Sequence, residues 1–415
     1  MVTGEWLVLV ESNTTGTGQL FAACARRLGL RPMVFTREPA RYPYLAADEL
    51  DFRVIDTTQP AALSTACDLL SGRIAGITSS SEYFIAAAAE LARDRGLPHP
   101  DPAAVRICRD KHLQRIRLRQ AGVPCPDFAA ADTPDAAVAV ATRIGLPVVV
   151  KPVAQSGSIG VRLCANPADV RAAADALFNG DSAELALPPQ QTVVVEQYLE
   201  GVEYSVETLD EQVVGVTRKH LGAHPYFVES GHDFPAPLPA AERAMIGQVA
   251  IAALRALGLG WGAAHVELRQ TDSGPSIIEV NPRLAGGMIP RIVQESTGID
   301  LIFHVVAKAA GRVEPLQADR TCAAAIRFLV ADTAGWLSAI HGLDQARQVP
   351  GVVEVGITRE ENQQIVLRHS FQDRLGYVIA SAMDGDTAAR AAEDGLRLIE
   401  ARISTAMVTT EGSSR

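Results

Sequence analysis

Two short stretches of this sequence carry carboxylate, amide and imidazole side chains at alternate positions. His265 and Glu267 lie in the first stretch, Glu279 and Asn281 lie in the second, and the turn-forming residues 271–275 separate them. The apolar and β-branched neighbours favour a strand on each side of this turn. We therefore predict a hairpin with a five-residue loop, in which Glu267 faces Glu279 and His265 faces Asn281 on one side of the sheet.

The opposed carboxylates of this hairpin suggest a metal site. Two carboxylates that face each other at roughly 5 Å repel unless a cation lies between them. Carboxylate and amide oxygens are hard ligands suited to Mg²⁺ or Mn²⁺. Glu267, Glu279 and Asn281 are therefore candidate metal ligands, and Arg283 follows on the same face. Taken alone, the pattern also fits a solvated edge hairpin with scattered charge.

Composition excludes several classes of function. A chain of 415 residues predicts two to three domains. The net charge of −10 argues against nucleic acid or an anionic membrane as the main partner. The six cysteines lack CxxC spacing, which favours free thiols in a reducing cytosol. We see no signal peptide and no apolar stretch near ~18 residues, so we expect a soluble cytoplasmic protein.

Local patterns predict the elements that position these side chains. Short strands alternate with helices over residues 1–100, which predicts an N-terminal parallel α/β domain. We also expect a basic helix from 101 to about 125, a long loop from Gly222 to Pro239, and helices over 240–257 and 386–402.

The pair Gly16-Thr17-Gly18 follows the first strand. It lacks the third glycine of a dinucleotide-binding fingerprint. A tight turn between strand and helix therefore explains it better than dinucleotide binding.

Further residues with possible roles in phosphate chemistry occur in a fixed order. Lys111 lies in a helix, Lys151 ends a strand, and the glycine- and serine-rich segment 155–161 lies between two strands. Such a loop can fold over phosphates and present backbone N–H donors. It is not a Walker A loop, because the GxxxxGK[ST] pattern is absent and no helix follows. An acidic turn from Glu196 to Glu203 comes next, before the hairpin.

This ordered set resembles the ATP-grasp superfamily, over about residues 1–320. The resemblance implies an α/β fold with an N-terminal pre-ATP domain over 1–100 and a two-part ATP-grasp domain over 101–320, with its lid at about 145–205. A C-terminal α+β subdomain would cover 321–408, which matches only loosely. We expect the last residues, 409–415, to be a polar tail.

The resemblance also implies ATP and Mg²⁺ (or Mn²⁺) as ligands. The two lysines would neutralise phosphate charge, the glycine-rich loop would close over the phosphates, and the acidic turn would contact adenine and ribose. The implied ATP contacts are Lys111, Lys151, Ser156, Gly157, Ser158, Gly160, Glu196, Tyr198, Leu199 and Glu203. The implied metal ligands are again Glu267, Glu279 and Asn281.

Members of this superfamily join a carboxylate to an amine through an acyl phosphate, releasing ADP and phosphate. Arg283 would be the catalytic residue that stabilises the reacting oxygens. The segment 283–288 resembles bacterial L-amino acid ligases, in which glycines at the positions of Gly286 and Gly287 let a substrate carboxylate approach the backbone. Small-molecule carboxylates and amines are the implied partners, and a homodimer is possible.

Two further stretches, 10–18 and 227–232, look like members that join amino acids in peptide-like natural products. His232 and Glu82 are candidate substrate contacts, although a mobile loop and a helix cap explain them equally well.

Three alternatives share the same frame. A purine-pathway ligase and a catalytically idle ATP-binding regulator both stay open. A biotin carboxylase is disfavoured, because no site for bicarbonate and no Met-Lys-Met segment is present.

Overall fold

The first hundred residues form a four-stranded parallel sheet covered by helices. Its elements are β1 (Trp6–Val10), α1 (Thr17–Arg27), β2 (Arg31–Thr36), α2 (Tyr44–Ala47), β3 (Asp51–Val54), α3 (Pro60–Asp68), β4 (Ile74–Thr78) and α4 (Ile85–Asp94). The strand order is β3-β2-β1-β4 and all pairs are parallel. All five residues of β1 are buried, because helices cover both faces of a parallel sheet. The predicted parallel α/β arrangement is confirmed.

The computed structural model describes residues 4–13, 17–180 and 189–404. The predicted tail over 409–415 and Gly16 of the first turn lie outside the described residues. Within the turn, Gly18 is required by close packing, since a Cβ there would lie 1.6 Å from Ser12 Oγ.

The predicted basic helix from 101 to about 125 is wrong in one respect, because it is two helices. These are α5 (Pro102–Arg109) and α6 (Lys111–Gln120). Asp110 separates them with an extended backbone, and its side chain accepts a hydrogen bond from the Leu113 N–H at 2.9 Å. An aspartate is a strong N-cap, so it starts a new helix at this position.

A second sheet carries the glycine-rich loop. Its elements are β5 (Phe128–Ala131), α7 (Pro134–Ile144), β6 (Val148–Pro152), β7 (Arg162–Cys164), α8 (Pro167–Asn179) and β8 (Val193–Gln197). The strand order is β5-β8-β6-β7, and every neighbouring pair is antiparallel. The glycine-rich loop connects β6 to β7.

A third, eight-stranded antiparallel sheet carries the hairpin with the predicted metal ligands. The elements that precede and follow the hairpin are β9 (Val202–Leu209), β10 (Gln212–Leu221), β11 (Glu229–Phe234), α9 (Ala240–Leu257), β12 (Ala263–Thr271), β13 (Gly274–Asn281), α10 (Ile289–Thr297) and α11 (Leu301–Ala309). The prediction of one long loop between Gly222 and Pro239 is wrong, because β11 lies within it. Its Gly231-His232-Asp233 has low strand propensity, and pairing with a strand on each side outweighs that.

The C-terminal elements extend this sheet. They are β14 (Ala323–Val330), β15 (Gly335–His341), α12 (Leu343–Arg347), β16 (Val352–Ile357), β17 (Gln364–Ile365), β18 (Arg374–Ala382), α13 (Gly385–Arg397) and β19 (Glu400–Ser404). The sheet order is β13-β12-β9-β10-β11-β14-β18-β16, and β17-β15-β19 form a small separate sheet. The predicted helix over 386–402 ends early, since its last residues form β19. The division into domains stays a prediction.

The hairpin of β12 and β13 confirms the predicted pairing. His265 lies opposite Asn281, and Glu267 lies opposite Glu279. The predicted five-residue loop is wrong, because Thr271 and Gly274 pair directly and only two residues connect them.

An irregularity in β13 reconciles the shorter loop with the predicted register. Glu267 pairs with Glu279 while the next residue, Leu268, pairs with Ile277, so Ile278 is an extra residue that forms a bulge. The bulged carbonyl of Ile278 accepts a hydrogen bond from Arg115 of α6.

Among the described elements, no helix is both long and apolar enough to cross a bilayer.

The contact between the acidic turn and the hairpin yields a stability prediction. Gly201 and Gly274 both have positive φ, at +138° and +107° respectively. A Cβ at Gly201 would lie 2.0 Å from the Gln270 carbonyl oxygen, whereas a Cβ at Gly274 would meet nothing within 4 Å. We expect Gly201→Ala to lower the free energy of unfolding by about 2 kcal/mol more than Gly274→Ala. Urea denaturation of both variants measures this difference, and equal losses would contradict the clash.

Candidate functional site

Lys111 contacts both the β12–β13 hairpin and the glycine-rich loop. It is the first residue of α6, and its Nζ lies 3.0 Å from Glu279 Oε1. The same ammonium group donates a hydrogen bond to the backbone carbonyl of Gln155. The side chain is 5% exposed, so this lysine is a buried cation and no ordinary surface residue.

Lys151 forms a second buried cation at the end of β6. Its Nζ lies 2.5 Å from Glu196 Oε2, and Arg115 Nε lies 3.0 Å from Glu196 Oε1. Burial lowers the pKa of Lys151 to about 8, although the Glu196 carboxylate opposes the shift. Sequence analysis missed Arg115. Its spacing of four residues from Lys111, which puts both on one helix face, is the signal that could have found it.

The acidic turn is held by an arginine of β12. Arg269 NH2 lies 3.2 Å from Glu203 Oε2, and Arg269 NH1 donates to the Leu199 carbonyl at 2.7 Å. Its guanidinium also lies 5.0 Å from the centre of the Tyr198 ring. Sequence analysis missed Arg269. It follows His265 and Glu267 at the next alternate position of β12, so strand alternation could have placed it on the same side of the sheet.

Lys219 of β10 is the most connected cation of the site, and sequence analysis missed it. Its Nζ lies 2.7 Å from Glu203, 2.8 Å from Glu229 and 3.0 Å from Glu267. Burial alone would lower the pKa of Lys219, but these three carboxylates raise it well above its usual value. The partners come from three other strands, so local sequence carries no signal for the cluster.

The three candidate metal ligands lie together on the hairpin. Glu267 contacts Lys219 Nζ at 3.0 Å and His265 Nε2 at 3.1 Å, and Glu279 holds the lysine of α6. Across the described ranges, no three His, Cys, Asp or Glu side chains are grouped as a metal site. Glu267, Glu279 and the Asn281 amide nevertheless form a set of hard oxygen donors that fits Mg²⁺.

The ionisation of Glu267 supports this fit. Burial opposes it, but Lys219 and His265 lower the pKa of Glu267 well below its usual range. The carboxylate is therefore charged at neutral pH and is balanced by protein cations.

The glycine-rich loop has the backbone of a tight cradle. Gly157, Ser158 and Gly160 all have positive φ, at +65°, +64° and +72°. The Ser156 hydroxyl donates a hydrogen bond to Glu82, which lies after β4. The N-terminal sheet thus contacts the loop predicted to cover phosphates.

Arg283 lies at the end of the hairpin and is anchored by the same glutamate. Arg283 Nε lies 2.6 Å from Glu82 Oε2, and Arg109 NH1 lies 3.1 Å from Glu82 Oε1. Burial by itself would raise the pKa of Glu82. The positive charges of Arg283 and Arg109 outweigh the effect of burial and lower the pKa of Glu82 to about 2. Glu82 therefore orients Arg283 as a permanently charged partner.

His232 lies beside the glycines that follow Arg283. A Cβ at Gly287 would lie 2.7 Å from His232 Cε1, whereas Gly286 has open space around it. His232 Nε2 lies 3.1 Å from Glu229 Oε2, and Arg374 NH2 lies 2.7 Å from the same oxygen. Burial lowers the pKa of His232, so the imidazole is neutral at pH 7.

Comparison with protein families identifies the domains that contain this site. Residues 144–291 match the model of the ATP-grasp domain, and residues 327–404 match the L-amino acid ligase C-terminal domain 2. The chain carries an ATP-grasp domain followed by an L-amino acid ligase C-terminal domain. The match of residues 327–404 corrects the expectation that the C-terminal part fits the family only loosely. ATP and Mg²⁺ are the ligands typical of this family.

Individual proteins are similar to this chain over much of its length. An uncharacterized protein of Sinorhizobium fredii is 39% identical over 378 residues, which cover 91% of this chain and 78% of that protein. A D-alanine--D-alanine ligase of Ralstonia pickettii is 28% identical over 234 residues, covering 52% and 68%. The crystal structure of an L-amino acid ligase from Bacillus licheniformis has the same fold, with a TM-score of 0.80, 21% identity, and coverage of 97% and 100%.

The low pKa of Lys151 predicts a pH dependence for nucleotide binding. Below about pH 8 the ammonium is charged and can pair with phosphate, and above it the neutral amine cannot. We expect the Kd for ATP to rise as pH increases through 8, by at most about tenfold per unit.

Titration calorimetry from about pH 6.5 to about pH 9.5 measures this. Lys151→Arg is the control, because arginine stays charged over the whole range and should give a flatter profile. A flat profile for the unsubstituted protein would remove Lys151 from the phosphate site.

Proposed function

We propose that this protein uses ATP to form an amide or peptide bond between an amino acid, or a small carboxylic acid, and an amine. The observation that carries this proposal is the convergence of two buried lysines on the carboxylates of one hairpin that ends in Arg283, with a third buried lysine, Lys151, paired to Glu196 of β8. Lys111 contacts Glu279, and Lys219 contacts Glu267. An ATP-binding regulator has no need for such a set around a reacting phosphate or for an arginine beyond it.

The family comparisons support amino acids as substrates. The C-terminal match is to an L-amino acid ligase domain, and a D-alanine--D-alanine ligase is among the relatives. Both are enzymes whose names describe the joining of amino acids.

We propose that ATP binds by exchange of ionic partners. Lys111 and Lys151 would leave Glu279 and Glu196 and pair with phosphate oxygens, which carry more charge. Glu196 and the backbone of Tyr198 and Leu199 would contact the adenine edge.

The metal ligands and the ribose contact follow from the same exchange. Lys219 would release Glu203 and Glu267 for the ribose hydroxyls and for a cation. Mg²⁺ or Mn²⁺ held by Glu267, Glu279 and Asn281 would offset negative charge on the phosphates.

The proposed chemistry has two steps. A substrate carboxylate oxygen attacks the γ-phosphorus of ATP and ADP leaves, and then the amine attacks the acyl carbon and phosphate leaves with the bonding electrons. Arg283, held by Glu82, would stabilise the oxygens of the reacting carboxyl group in both steps. Gly286 and Gly287 would let the substrate approach the backbone next to His232.

The surroundings of the protein are also part of the proposal. All six cysteines are free thiols, which suits a reducing cytoplasm. A homodimer stays a prediction.

The products of the reaction test the mechanism. An acyl phosphate requires that ATP yields ADP and phosphate, without AMP or pyrophosphate. Hydroxylamine should trap a hydroxamate of the first substrate when the amine is left out. We expect both results with at least one acid from a panel of amino acids. AMP as the product would overturn the acyl phosphate, and turnover with purine-pathway acids alone would replace amino acids as the substrate class.

The metal site is tested by Glu279→Gln. This change removes one anionic ligand and keeps the shape of the side chain, but it also removes the carboxylate that pairs with Lys111, so we expect some loss of stability together with a fall in turnover of roughly two orders of magnitude. Asn281→Ala should cause a smaller loss, because a neutral oxygen ligand contributes less. Near-normal turnover of Glu279→Gln at saturating Mg²⁺ would refute the assignment.

A further inference from the structure

A short segment of the C-terminal region, residues 369–374, reaches the glycine-rich loop. The ring of Phe371 lies directly against Gly157, since a Cβ on this glycine would be 2.4 Å from the ring Cδ1. The Phe371 N–H also donates to the Gly157 carbonyl at 3.4 Å. Because Gly157 has φ of +65° as well, both its backbone conformation and its neighbour require glycine.

The same segment also contacts the connection between β10 and β11, and this connection in turn contacts the glycine-rich loop. The His369 ring stacks on Tyr226, with ring centres 3.8 Å apart and planes 5° apart. Tyr226 belongs to the connection between β10 and β11, and the carbonyl of the next residue, Phe227, accepts a hydrogen bond from Ser158 Oγ at 2.9 Å. The glycine-rich loop therefore contacts both Phe371 and the β10–β11 connection.

The segment that carries Phe371 is fixed to the C-terminal region. Ser370 and Asp373 are buried and form a reciprocal capping box around the turn. The Asp373 carbonyl accepts from the Ala331 N–H at 2.9 Å, and Arg374 is paired with Glu229 beside Lys219. A turn fixed at both ends can serve as a rigid support for a loop that closes.

We propose that Phe371 is a positioning residue that seats the glycine-rich loop over the reacting phosphate. Through this contact the C-terminal region controls the exclusion of water from the acyl phosphate. The proposal rests on the ligase function proposed above, because it requires an acyl phosphate that water can hydrolyse.

The chemical consequence is a competing reaction. When the loop is open, a water oxygen attacks the acyl phosphate in place of the amine, and phosphate and the free carboxylic acid are released. ATP is then hydrolysed to ADP and phosphate without an amide. The ratio of phosphate to amide measures how well the loop is seated.

The test is Phe371→Ala in the full chain, assayed for phosphate and amide in the same reaction. We expect the phosphate-to-amide ratio to rise about threefold or more, because the loop closes less often. Phe52→Ala is the matched control, since Phe52 is 44% exposed on the edge strand of the N-terminal sheet, and its ratio should stay unchanged. Phe371→Leu, which keeps an apolar side chain, should give an intermediate ratio. An unchanged ratio in a folded Phe371→Ala variant would overturn the proposal.

A double-mutant comparison tests the contact itself. Gly157→Ala introduces backbone strain and a clash with Phe371, so it should reduce amide formation less in the Phe371→Ala background than alone. Equal fold-changes in both backgrounds would contradict a direct contact.

Hydrogen exchange separates this proposal from the ligase function. With MgADP bound, Phe371→Ala should speed exchange of the backbone amides of residues 155–161, whether or not an amide is formed. Absence of an amide from the unsubstituted protein with every acid tested would refute the ligase. Unchanged hydrogen exchange of residues 155–161 in the Phe371→Ala variant would refute the proposal that Phe371 positions the loop.

Discussion

The structure depends on the need to neutralise three lysines that are almost fully buried. The side chains of Lys111, Lys151 and Lys219 are 5%, 5% and 2% exposed. A buried charge is tolerated only with partners of opposite sign, so each lysine holds at least one glutamate. In the proposed exchange, phosphate oxygens pair with Lys111 and Lys151, so that Glu279 and Glu196 become free for other ligands. The protein cations and carboxylates thus keep each other in place for a ligand that carries its own charge.

This balance of charge explains why elements distant in sequence meet at one point. Arg115 of α6 joins the bulged carbonyl of Ile278 to Glu196 near the end of β8, so it fixes the helix, the hairpin and the β5-β8-β6-β7 sheet together. Glu82 does the same for the N-terminal sheet, the glycine-rich loop and Arg283. Each of these side chains satisfies several partners, and this restricts the relative positions of the three sheets.

Sequence reasoning could recover what depends on local periodicity. The helix over 240–257 and the facing pairs of the hairpin agree with the structure, because helical spacing and strand alternation are properties of neighbouring residues. It missed β11 and Lys219, whose environment is created by strands far apart in the chain. Sequence reasoning also predicted correctly that Glu267 pairs with Glu279, although it assumed a loop that is too long. The bulge at Ile278 shifts the register of β13 by one residue, and this shift restores the predicted pairing.

The continuous eight-stranded sheet sets a limit on the exchange of parts between related enzymes. Strands β14, β18 and β16 add to the edge of β11, which carries His232, on the side away from β10. A chain that ends near residue 320 would leave the N–H and C=O groups of β11 that face β14 without partners and open to pairing with other molecules. A chimeric enzyme that carries a foreign C-terminal region after about residue 320 must therefore match the first strand of that region to β11, because the two parts form one continuous sheet.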